Sequence, residues 1–131
     1  MTEASRLPPR PTDAELEILR VLWDTGPATV REVLEALASR RPMGYTTVLK
    51  LLQIMTEKGL VLRNEEERAH VYRAGRERHE TERQLVGDLL DRAFGGSASR
   101  LAMHALATKP SSAAEIAAIR RMLDEQSEGE K

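Results

Sequence analysis

The spacing of apolar residues changes abruptly at Gly59, and that change constrains the fold more than any other feature of the chain. Before it, apolar residues recur every three or four positions, as in amphipathic helices. After it come two short segments of strand-like composition. Thr12-Asp13-Ala14-Glu15 reads as a capping box, in which the threonine hydroxyl accepts an orphan amide and the glutamate reaches back. Leu16, Leu19, Leu22 and Trp23 follow at helical spacing, and Gly26-Pro27 ends that helix. Thr29-Val30-Arg31-Glu32 is a second box. It opens a helix carrying Val30, Val33, Leu34 and Leu37 on one face and stopping near Arg41-Pro42. A third helix is predicted from Tyr45 to Lys58, closed by Gly59 in the left-handed position.

Leu60-Val61-Leu62-Arg63 and His70-Val71-Tyr72-Arg73 flank the polar turn Asn64-Glu65-Glu66-Glu67-Arg68 and read as a two-stranded hairpin. Three short helices and then a hairpin make the plan of a winged helix-turn-helix. Beyond Gly75 the chain reads as helical again. Val86, Leu89, Leu90, Ala93 and Phe94 form one apolar stripe, broken by Gly95-Gly96, and Leu101, Ala102, Ala105 and Leu106 form another. Ser112-Ala113-Ala114-Glu115 is a third capping box, leading into Ile116, Ile119, Met122 and Leu123. The expected organisation is a Pro-rich flexible arm over 1–11, a winged-helix domain over 12–76, a helical region over 77–126 and a polar tail over 127–131. The fold class is therefore mainly α.

Charge is unevenly spread. The 131 residues carry a net charge of −1, but residues 40–76 hold eight basic and four acidic side chains, a local +4 between acidic flanks. A basic block of this kind is a candidate nucleic-acid footprint. The chain has no cysteine, which excludes disulfides, thiolate metal sites and thiol nucleophiles. Its three histidines, His70, His79 and His104, are too dispersed for a metal-ligand set, so no metal and no cofactor are expected. Aromatics are only 3% of the residues, which disfavours recognition by ring stacking. No apolar run approaches membrane-spanning length and the first residues do not resemble a signal peptide, so the expectation is a cytoplasmic protein without direct membrane binding. No Ser/His/Asp set or phosphate loop marks an enzyme, and no catalytic residue is assigned.

On a helical wheel, Val48, Leu51, Leu52 and Met55 cluster on one side of the third helix. Thr46, Lys50, Gln53 and Glu57 lie opposite, with Thr47 on the flank. Small hydroxyls permit close approach to a major groove, and Lys50 and Gln53 reach phosphate or base edges. Arg63, Arg68 and His70 at or near the hairpin tip suit a phosphate backbone or a minor groove. The three glutamates of the turn make Arg68 a better candidate than the tip as a whole. Trp23 and Tyr72 are read as core or core-edge residues.

Tyr45-Thr46-Thr47-Val48-Leu49, Lys58-Gly59-Leu60-Val61 and Arg68-Ala69-His70-Val71-Tyr72 resemble the penicillinase-repressor family of β-lactamase, methicillin-resistance and copper-responsive repressors. Glu15-Leu16-Glu17-Ile18-Leu19, Leu22-Trp23 and Phe94-Gly95-Gly96-Ser97 extend the resemblance from about residue 12 to 125. It implies a homodimeric winged-helix repressor on a palindromic double-stranded DNA operator. Thr46, Thr47 and Lys50 would then belong to the reading helix, and Arg68 and His70 to the wing. Copper sensing through a cysteine-rich site is excluded by the absence of cysteine. Family members that respond to β-lactams through a membrane metalloprotease sensor are cut at an Asn–Phe bond. Counted from Gly95-Gly96, that bond falls at about His104-Ala105, where the pair is absent. Induction by proteolysis would need an altered specificity.

Dimerisation is expected through Val86, Leu89, Leu90, Phe94, Leu101, Leu106, Ile116, Ile119 and Leu123. A segment this short with one aromatic cannot readily close a core alone. The alternative reading is a winged-helix protein-interaction module without DNA binding. The outward Thr46/Lys50/Gln53 face and the local +4 charge count against it.

Overall fold

Helix α1 (Asp13–Thr25) begins where the Thr12 hydroxyl accepts from the Glu15 amide at 3.2 Å and Glu15 accepts from the Thr12 amide at 2.9 Å. It ends at Gly26, at φ 86°, whose amide bonds Leu22 O. This is a computed structural model, and it describes residues 9–129. The expected arm over 1–11 therefore falls largely outside the described residues, as does the end of the expected tail. Two further capping boxes form as the sequence predicts, at Thr29/Glu32 and at Ser112/Glu115. The remaining elements are β1 (Ala28–Thr29), α2 (Val30–Leu37), α3 (Tyr45–Lys58), β2 (Val61–Asn64), β3 (Val71–Ala74), α4 (Arg78–Ala93), α5 (Ala98–Thr108) and α6 (Ala113–Gly129).

Three points differ from the sequence reading. The hairpin of β2 and β3 forms as expected, but β1 joins it, giving an antiparallel sheet in the order β1-β3-β2 with Ala28 opposite Tyr72. Helix α2 stops at Leu37 rather than near Arg41: the amides of Ala38 and Arg40 bond the carbonyls three residues back, Glu35 O and Leu37 O, and the helical ladder tightens into a turn. Helix α6 continues to Gly129, into the segment expected to be tail.

The chain forms two compact units, residues up to Val86 and residues from Gly87 on. In the first, Ile18, Leu19, Val33, Leu37, Val48, Leu52, Met55, Val61 and Tyr72 make a core at 2% exposure or less. Trp23 and Leu34 pack against it, half-buried. Each such apolar side chain contributes about 1.5–3 kcal/mol of burial. Gly59 sits at φ 81°, ψ 10° and turns the chain from α3 into the sheet. Gly75 is needed for a different reason: a Cβ there would lie 2.6 Å from Gly59 O. The first unit also takes in the opening turns of α4, beyond residue 76 where the pattern change suggested a boundary. Trp23 Nε1 donates to Arg76 O at 3.0 Å, Thr81 is buried, and Asp24 pairs with both Arg78 and Arg40.

In the second unit, Gly95 and Gly96 adopt φ 56° and 83° and break the helical path. Ser97 caps α5, and Arg100 Nη2 donates to Phe94 O at 2.7 Å. The Phe94 and His104 rings lie 5.7 Å apart, tilted by 50°. Neither α5 nor α6 buries a single residue.

Candidate nucleic-acid interface

Helix α3 is anchored by one face and presents the other. Val48, Leu52 and Met55 are fully buried, Leu51 is half-buried, and Thr46, Thr47, Lys50, Gln53 and Glu57 are all exposed. The helical wheel thus separates core from outer face as expected, with Leu51 at the edge. The far end of the helix is braced by Lys58, whose Nζ donates to Glu15 Oε2 at 2.8 Å and Oε1 at 3.1 Å. Burial alone would raise the Glu15 carboxyl, but hydrogen bonds from Lys58 and Thr12 outweigh it and hold the group below its ordinary value. The near end is left open. Its N-cap is Gly44, with no side-chain cap, so the first-turn amides of α3 have no side-chain acceptor there. An exposed helix start with free amides suits an anion.

The basic side chains of the wing fall into two groups. Arg63 Nη2 and His70 Nε2 both approach Glu65 Oε1, at 3.5 and 3.7 Å. The turn is closed by Asn64, whose side chain accepts from the Glu66 amide at 2.9 Å. Arg68 and Lys50 are exposed and form no ion pair with any described residue. Of the candidate contacts, Thr46, Thr47, Lys50 and Gln53 therefore share the outer face of α3, Arg68 stands free on the wing, and Arg63 and His70 both face Glu65 within it. Sequence reasoning had no means of assigning Glu65 to both.

A cleft of about 400 Å³ lies between the start of α2, the start of α3 and the returning arm of the wing. Arg31 and Tyr45 line it together with Arg68 and His70. Arg31 and Tyr45 were singled out in the sequence only as parts of a cap and a helix start. The usable signal was position: Arg31 stands in the first turn of the helix that precedes the outward-facing one.

Helices α1 to α3, the three-stranded sheet and the wing define a winged helix-turn-helix protein. The profile of the penicillinase repressor family matches residues 11–125, and the chain belongs to that family. It is 40% identical over 118 residues to the transcriptional regulator BlaI of Mycobacterium tuberculosis, covering 89% of this chain and 85% of that one. To the penicillinase repressor of Bacillus licheniformis it is 24% identical over 123 residues, covering 94% and 96%. A solution structure of the DNA binding domain of the repressor BlaI is 26% identical, covers 55% of this chain and 88% of that chain, and superposes with a TM-score of 0.49.

Proposed function

We propose that this chain is a DNA-binding transcriptional repressor that occupies a palindromic operator as a homodimer and has no catalytic role. The observation that carries the reading is the division of α3 into a buried face and an exposed face of Thr46, Thr47, Lys50 and Gln53, beside a wing with an unpaired Arg68. In a family of repressors, that face is the one to enter a major groove, with the wing following the backbone. Such a protein acts where the DNA lies, in the cytoplasm. A salt-dependent gel shift with the chain's own upstream DNA and a scrambled duplex tests it: preference for the former supports the reading, and no shift with either defeats it.

Support for the homodimer comes from the second unit taken alone. Leu106 is 40% exposed, Met103 63%, Met122 59% and Leu123 58%, while Phe94, Leu101, Ile116 and Ile119 are only half-buried. On the part of α4 in this unit, Leu89 is exposed and Leu90 is half-buried, and Val86, the last residue of the first unit, is exposed as well. Apolar surface left uncovered on this scale marks an interface. A two-fold dimer would set two α3 helices in major grooves about one helical turn, or a multiple of it, apart. Induction through a membrane metalloprotease system is the route of the β-lactam-responsive members. Here the bond at His104-Ala105 lies within α5, so cleavage would require local unwinding as well as a protease of different specificity.

A further inference from the structure

We propose that the cleft between α2, α3 and the wing is the seat of one DNA backbone phosphodiester, with Arg31, Arg68 and the Tyr72 hydroxyl as its principal ligands. This deepens the repressor reading and rests on it. Two guanidinium groups, from α2 and from the wing, line the same cleft, and neither forms an ion pair with a described residue. Two carboxylates of these elements are already engaged. Glu32 accepts the Thr29 amide at 2.9 Å to close the α2 cap, and Glu65 faces Arg63 and His70. Two like charges lining one open cleft repel each other unless an anion lies between them, and the fork of arginine matches phosphate oxygens.

Tyr72 gives an independent indication. It lines the cleft at 1% exposure, yet its hydroxyl has no hydrogen-bond partner among the described residues. That hydroxyl is not sealed from solvent, so the little surface Tyr72 keeps leaves a hydrogen-bond donor free at the cleft. Val30 and Leu49 add apolar surface to the lining beneath these groups. The start of α2 adds the positive end of its dipole. The cleft is open rather than enclosed, and it shares Tyr45 with α3 and Arg68 with the wing. A strand of duplex lying between these two elements would pass across it. That continuity favours a diester in a chain over a free anion.

The test uses the full chain, a duplex from its own upstream region and an unrelated duplex of equal length. Arg31→Ala should weaken binding to both by a similar factor of about 5–20, and flatten the salt slope by about one unit. Arg31→Lys should retain the slope. Tyr72→Phe should weaken binding about 2–5-fold without changing the slope, since only a neutral donor is lost. In a scan of single uncharged methylphosphonates, one position should weaken the wild type and have no further effect on Arg31→Ala. Unaltered thermal unfolding of Arg31→Ala would establish that the loss is local. The proposal is overturned if folded Arg31→Ala keeps wild-type affinity and slope, or if no phosphonate position is silenced by it. Inorganic phosphate that saturates the Tyr72 and Arg31 resonances below about 1 mM at constant ionic strength would also overturn it, in favour of a free-anion site. Failure of the wild type to bind either duplex would instead bring down the repressor reading itself.

Discussion

Glu15 carries two duties on one carboxylate: it closes the α1 capping box with Thr12 and holds Lys58 at the last turn of α3. Glu15→Gln retains a capping acceptor but loses the ion pair, and should destabilise the chain by about 1–3 kcal/mol near neutral pH. Because the folded carboxyl titrates below its ordinary value, its contribution is complete above that ordinary value and disappears as pH falls through the folded one. The gap between wild type and Glu15→Gln in urea unfolding should therefore close in acid. A gap that widened with acid would contradict the pairing. The exposed contacts separate by a different experiment. Arg68→Ala should weaken operator and non-operator binding together and lower the salt slope, as expected for a phosphate contact. Substitution of Thr46 or Thr47 should change the preference among operator sequences, by about 1–3 kcal/mol per altered base pair. Competition titrations on operator and scrambled duplexes distinguish the two. Specificity loss in Arg68→Ala alone would reverse the assigned roles.

At the scale of elements, the caps mark where the physics is local. Each capping box needs only residues three apart, and all three were legible in the sequence because nothing distant competes with them. Helix α3 was legible to its ends for the same reason, through its apolar period and Gly59. Strand β1 was not legible: two residues carry no period, and its partner β3 lies far along the chain. Nor was the brace from Lys58 to Glu15, across a separation of 43 residues, or the capture of Arg63 and His70 by Glu65, which depends on how the wing folds. The open start of α3 supports a prediction of its own. Gly44 has an ordinary φ of −76°, and no atom lies within 4 Å of the place a Cβ would take, so Gly44→Asp should cap the helix and add a few tenths of a kcal/mol. It would also set a carboxylate where an anion is meant to approach, so DNA affinity should fall while unfolding temperature rises slightly. Thermal melts and gel shifts on the same protein check both signs. Gly75→Ala should do the opposite to stability, costing about 1–3 kcal/mol through the clash with Gly59 O.

At the scale of the whole molecule, the decisive question is where the chain can be cut. The change of sequence pattern suggests residue 76, but the contacts of the first unit run past it. Arg78 lies 5.6 Å above the Trp23 ring and pairs with Asp24, and Thr81 is buried. Asp24 is held below its ordinary value by the Arg78 hydrogen bond first, then by the charges of Arg78 and Arg40. A chain ending at residue 76 loses these anchors and exposes one side of Trp23, whereas one ending at residue 86 keeps them. The longer fragment should therefore unfold at a higher temperature than the shorter, and both should sediment as monomers, because the exposed apolar residues of α5 and α6 are missing. Relative to the full chain, the longer fragment should bind its operator more weakly by orders of magnitude. The second half-site is then no longer held at roughly millimolar effective concentration. Its binding to a single half-site should match that of the full chain, since α3 and the wing are untouched. Sedimentation, melting and gel-shift titrations of the three proteins decide the matter. A stable dimer of residues 1–86, or full operator affinity without α5 and α6, would move dimerisation into the winged-helix unit.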